Sequence, residues 1–104
     1  MKNLQQVQQM LKQVQQFQEQ LQKQLDELVV ESSTGGGMVT VRMNAQKHLV
    51  SVRIDPEVYK AGDIEMLQDL ILAAVNESAR KIDEQVATQM GSLAGGLNLP
   101  GLNF

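Results

Sequence analysis

Five basic side chains carry the clearest chemical potential in this sequence. Lys2 and Lys12 stand in an 18-residue stretch without an acid, Lys23 follows on the same outward helix face, and Arg80-Lys81 form a later basic step. Ammonium and guanidinium groups on a regular surface suit phosphate oxygens. The glutamines between the first three offer donors and acceptors to phosphates and bases. Arg42 and Arg53 add two more cations on the polar face of a hairpin. The plainer reading makes all of these ordinary solubilising charges.

Other chemistry is poorly provided for. There is no cysteine, which excludes disulfides, thiolate zinc sites and thiol nucleophiles, and His48 has no second histidine to share a metal with. His48 sits on the core-facing alternation of a strand, where capping the sheet is its expected role. No nucleophile elbow, Walker-type loop or dinucleotide fingerprint occurs. Gly35-Gly36-Gly37 precedes a strand, whereas phosphate loops open a helix, so it reads as a loop or bulge. Asp55 and Glu57 flank a proline turn, and Asp83-Glu84 lie on a solvated helix face, neither pair with a basic partner near it in sequence. No catalytic, metal-binding or cofactor-binding residue is expected, and no small-molecule substrate; the chain is not expected to be an enzyme.

Composition narrows the classes further. Of 104 residues, 42% are hydrophobic and 20% charged, the balance of a folded globular chain. No apolar run approaches the roughly 18 residues of a membrane span. The first residues lack a signal-peptide core, so a cytoplasmic location is expected. The net charge is −3 and uneven: residues 1–53 hold six basic and four acidic side chains, residues 54–104 three and eight. An acidic chain is a poor electrostatic footprint for nucleic acid, which weighs against the phosphate reading.

The elements that would position these groups follow from periodicity. Leu4, Val7, Leu11, Val14, Leu21, Leu25 and Leu28 step by three and four, with Gln18 at the missing position, predicting a helix over 3–28 with a heptad seam. Val29–Thr34 reads as an edge strand. Val39, Val41 and Met43 alternate, as do Val50, Val52 and Ile54. Folding about Gln46–Lys47 puts Met43 opposite Val50, Val41 opposite Val52 and Val39 opposite Ile54, all six on one face. Pro56 ends the strand. Asp63 caps a second long helix over 64–90, whose core positions are Ile64, Leu67, Ile71, Ala74, Ser78, Ile82 and Val86. Within it, residues 70–75 are apolar all round and so predict burial on every side.

The fold class predicted is α+β: an α-β-β-β-α protomer with a small antiparallel three-stranded sheet and two long helices. Residues 1–90 form the single domain, and 91–104 read as a flexible Gly/Leu-rich tail. A 26-residue helix is about 39 Å long while a six-residue strand spans about 20 Å, so both helices must overhang the sheet. Hiding the leftover apolar surface calls for a homodimer.

Several stretches in order resemble the YbaB/EbfC family of nucleoid-associated proteins along essentially the whole chain. They are Met10-Leu11-Lys12-Gln13, Gly37-Met38-Val39-Thr40-Val41, Ile54-Asp55-Pro56, Leu67-Gln68-Asp69-Leu70-Ile71 and Ala73-Ala74-Val75-Asn76, followed by the Gly/Leu-rich end. The resemblance implies a tweezer-like homodimer that binds double-stranded DNA in the nucleoid through coiled-coil-like helical arms. It implies effects on nucleoid organisation and gene expression, and no enzymatic activity. Carried onto this chain, the DNA-binding positions are Lys2, Lys12, Lys23, Arg80 and Lys81. Two departures are visible: Asn44-Ala45 stands where the family often has Asn-Gly, suggesting a longer loop, and the first helix is richer in glutamine than lysine. The competing reading is a protein-interaction scaffold whose arms hold a partner helix through Leu11, Val14 and Phe17. An RNA-associated role shares the charge argument.

Overall fold

The computed structural model describes the backbone of residues 2–97 and the side chains of residues 3–92. Helix α1 (Lys2–Glu27) is followed by strands β1 (Val29–Thr34), β2 (Val39–Asn44) and β3 (Leu49–Ile54). A one-and-a-half-turn helix α2 (Pro56–Ala61) and the long helix α3 (Ile64–Leu97) complete the order. The strands form one antiparallel sheet in the order β1-β2-β3. This is the expected α-β-β-β-α arrangement with one short helix added.

That short helix has a local cause. Asp55 accepts from the Glu57 N–H at 2.9 Å, Pro56 occupies the first turn, where its missing N–H costs nothing, and Gly62 closes the end at φ 72. Asp63 then starts α3 as predicted, its carboxylate accepting from the Met66 N–H at 3.0 Å. Helix α3 runs to Leu97, so the boundary expected after residue 90 falls inside a helix. Residues 98–104 of the expected tail lie outside the described residues.

The first hairpin turns on three glycines with φ of 62, 66 and 97. Gly35 has a second reason to be glycine: a Cβ there would stand 3.0 Å from Leu70 on α3. Thr34 Oγ1 donates to the Leu70 carbonyl at 2.8 Å, fixing the same turn to the helix. In the second hairpin, Val39 pairs with Ile54, Thr40 with Arg53, Val41 with Val52 and Arg42 with Ser51, as expected. The register then shifts, and Leu49 rather than Val50 stands across from Met43. The loop is four residues long. Asn44 Oδ1 accepts from the N–H groups of Gln46 and His48, both at 3.0 Å, and Lys47 takes a positive φ of 63. An Asx-type turn therefore replaces the tight Asn-Gly turn, and the extra residue appears as a bulge at Val50. His48 is exposed in this loop, not core-facing, because the bulge shifts the alternation that placed it inward.

Two clusters form the core between the sheet and α3. Val30, Met43 and Ile82 pack with Leu28, Val75, Ala79 and Val86; Val39, Val41 and Ala74 pack with Leu67, Leu70 and Ile71. Ala74, Ser78 and Ile82, spaced by four, are all buried, so small side chains bring the helix down onto the strands. Strand β3 takes no part. A helix is about 10 Å wide and strands lie about 4.8 Å apart, so one helix covers two strands and leaves the third bare. Val50, Val52 and Ile54 are accordingly exposed, and so are Ile64 and Leu72 of α3. Ile64 is thus not a core position of the protomer, and the apolar turn 70–75 is covered on one side only.

Leu28 and Val86 both pack against the Val30–Met43–Ile82 cluster, so the chain leaving α1 enters the sheet at the end where α3 passes beyond it. Phe17, Leu21 and Leu25 are half-buried, whereas residues 3–16 of α1 are exposed throughout. The protomer is consequently long and thin, 74 × 23 × 15 Å.

The two hairpin glycines predict a graded response. Gly36→Ala carries only the backbone strain of a positive φ, about 1–2 kcal/mol. Gly35→Ala adds the Leu70 clash and is the more destabilising of the two, which urea unfolding of both variants checks.

Candidate functional site

The expected basic positions do not share one environment. Lys2 opens α1, and its side chain lies outside those described. Lys12 and Lys23 are exposed and make no ion pair among the described residues. Three acids lie one helical turn from Lys23, at Glu19, Asp26 and Glu27, and none pairs with it; Asp26 instead accepts from Gln22 Nε2 at 2.8 Å.

Lys12 shares a shallow depression with Gln5, Gln8 and Gln9; Lys23 shares another with Gln16, Glu19 and Gln20. Each residue of the first set recurs eleven positions later in the second, with Glu19 replacing a glutamine. Eleven residues make three helical turns, so the two sets face the same way about 16 Å apart along α1. That distance is about five base-pair steps of a duplex at 3.4 Å each. A cation flanked by amides, presented twice on one face, is a fitting surface for a phosphate backbone. Spacing by eleven was legible in the sequence; a search by heptads passes over it.

Arg80 and Lys81 stand differently. Arg80 donates through Nε (3.1 Å) and Nη2 to the two carboxylate oxygens of Glu77, and through Nη1 to Glu84. The Arg80 hydrogen bond holds the Glu77 carboxyl below its ordinary range, and Glu77 in turn raises the Arg80 guanidinium. Glu77 is lowered in the folded chain, so this fork is intact at neutral pH. Its contribution is present above the unfolded carboxylate value and fades as the pH falls through the lowered one. Lys81 Nζ donates to the Glu31 carbonyl at 2.7 Å, closing a hydrogen-bonding position on strand β1. Asp83 pairs with Lys47 at 2.8 Å. Asp83 and Glu84 therefore do have basic partners: Glu84 lies one helical turn from Arg80, and Lys47 comes from the hairpin loop.

The remaining free cations are on the sheet. Arg42 and Arg53 are exposed on the face turned away from α3 and make no ion pair among the described residues. They share a groove with Glu31, Thr40 and Ser51. No three His, Asp or Glu side chains come together as a metal-binding group among the described residues, and no described helix is long and apolar enough to cross a membrane.

The chain is thus a thin α+β fold with unpaired cations on an exposed helical arm. Comparison places it more narrowly. Residues 1–97 match the model of the YbaB/EbfC DNA-binding family. A nucleoid-associated protein of Koribacter versatilis is 52% identical over 80 residues, covering 77% of this chain and 79% of that one. A nucleoid-associated protein of Clostridium novyi is 46% identical over 102 residues, covering 98% and 83%. The crystal structure of an uncharacterized Helicobacter pylori protein has a TM-score of 0.62 at 26% identity, over 78% of this chain and 94% of that one. The chain belongs to the YbaB/EbfC DNA-binding family, which is not enzymatic.

The Arg80 fork generates a prediction. Arg80→Ala leaves Glu77 and Glu84 without their cation and is expected to weaken DNA affinity. Glu77→Gln combined with Glu84→Gln releases Arg80, removes two negative charges and tightens binding. Fluorescence anisotropy on a labelled duplex at low salt reads both effects.

Proposed function

We propose that this protein is a nucleoid-associated homodimer that binds double-stranded DNA through its helical arms, without catalysis. The observation that carries the reading is the exposed first half of α1, continued by Lys23, with Lys12 and Lys23 making no ion pair among the described residues. Membership in a DNA-binding family supplies the ligand class, and relatives named as nucleoid-associated support a location on the chromosome. The Lys12 and Lys23 ammonium groups would lie against phosphates, with neighbouring glutamine amides bonding to phosphate, sugar or base edges. Phosphate-dominated contact of this kind positions a protein on the duplex with little sequence preference.

Dimerisation is supported by what one protomer leaves uncovered. Val52 is 46% exposed and Leu72 61%, and β3 presents both an apolar face and an unpaired edge. Joining two copies across this region would bury those groups and double the arms about a two-fold axis. Sedimentation velocity of the unaltered chain is expected to show a dimer at micromolar concentration. Val52→Glu and Leu72→Glu, both at surface positions of the folded protomer, are expected to shift it to monomer with helical content retained. A compact monomer for the unaltered chain would remove the geometric basis of the proposal.

For DNA binding, Lys12→Glu with Lys23→Glu is expected to abolish gel retardation at moderate salt. Neutralising both with glutamine removes four phosphate contacts per dimer. The slope of log affinity against log salt then falls by about 3.6, at about 0.9 per contact.

A second reading has its own observation. Leu4, Val7, Leu11 and Val14 are at least 42% exposed on the arm, the surface that would hold a partner polypeptide. That reading predicts a co-purifying protein and salt-independent indifference to duplex DNA.

A further inference from the structure

We infer that the open face of the sheet is a second phosphate-contact surface, in which Arg42 and Arg53 grip duplex DNA separately from the arms. The inference rests on the DNA reading above and extends it to a part of the molecule that reading does not use.

The argument begins with which cations are free. Among the described side chains, Lys47, Lys60 and Arg80 form ion pairs and Lys81 is bonded to a backbone carbonyl. Lys12, Lys23, Arg42 and Arg53 make no ion pair among the described residues. Two lie on the arm. The other two stand together on the sheet face that α3 does not cover.

The register fixes their relation. Arg42 of β2 faces Ser51 of β3, and Arg53 faces Thr40, so the arginines are diagonal neighbours on one face. Such neighbours have Cα atoms about 7–8 Å apart, within reach of long side chains. Two guanidinium groups so placed repel one another in the absence of an anion, and an anion bridging them relieves this. Arginine presents a planar fork that bonds phosphate oxygens in pairs, and the exposed Ser51 hydroxyl between the two strands adds a donor. Thr40 is already bonded to Ser33 at 2.7 Å, which holds the neighbouring hydroxyls in place.

The face carries one opposing charge. Glu31 of β1 pairs across the ladder with Arg42 but makes no ion pair with it. The groove of about 460 Å³ that these groups line is therefore net positive in a chain whose net charge is −3. A surface of this sign and shape, on a strand pair with its apolar side turned the other way, favours an extended polyanion. In a two-fold assembly it occurs twice.

The test measures duplex binding by fluorescence anisotropy over a range of salt, using the full chain and a labelled duplex of mixed sequence. R42Q with R53Q is expected to weaken binding at least tenfold near 0.1 M salt. It should also lower the salt slope by about 3.6 in the dimer. R42K with R53K, which keeps the charge, is expected to retain most of the slope. E31Q removes the opposing carboxylate without touching either arginine, and it is expected to tighten binding. Circular dichroism melting confirms that each variant is folded. If R42Q/R53Q and E31Q bind like the unaltered chain while K12Q/K23Q weakens, the sheet face makes no DNA contact and this inference alone is overturned. If the unaltered chain fails to bind duplex at low salt, the DNA reading falls, and this inference falls with it.

Discussion

One helix is too narrow and too long for the sheet it covers. Its width spans two strands, so β3 keeps an apolar face that nothing in the protomer hides. Its length, about 51 Å for 34 residues, carries it well past strands of about 20 Å. The same excess in α1 produces the arm. The elongated shape, the bare strand and the projecting lysines are three consequences of that single mismatch.

The core accommodates the mismatch with small side chains where the helix must approach closely. Ala74 and Ser78 let α3 settle on β1 and β2, and Gly35 lets the first hairpin turn slide against Leu70. Ser32 and Ser78 are both buried with hydroxyls that have no hydrogen-bond partner. A protomer built this way has a modest core for its length. A second copy covering β3 would contribute much of the remaining apolar burial.

Charge follows a similar division. On α3, Arg80 is held by Glu77 and Glu84 together, one turn away on either side, and Lys81 is bonded to a carbonyl of β1. On α1 and the open sheet face the described cations make no ion pair. An acidic chain can therefore present free cations, because eight of its twelve acids lie on α3 and in the segment leading to it. Net charge alone is a poor guide to a molecule whose acids are spread so unevenly along the chain.

The element order, the helix starts and the pairing of Val39, Val41, Thr40 and Arg42 with β3 were determined by the sequence itself. They depend on local periodicity, on caps such as Asp63 and on glycine at positive φ. The short helix α2 and the Arg80–Glu84 pair were also written locally, in Asp55-Pro56-Glu57 and in a four-residue spacing, though periodicity in apolar residues does not reveal them. The bulge at Val50 and the exposure of His48 follow from the local Asx turn at Asn44, whereas the exposure of Ile64, the Lys47–Asp83 contact and the bare face of β3 belong to the tertiary structure. These last three depend on how wide a helix is relative to a strand, and on where distant segments meet, and no spacing along the chain records either.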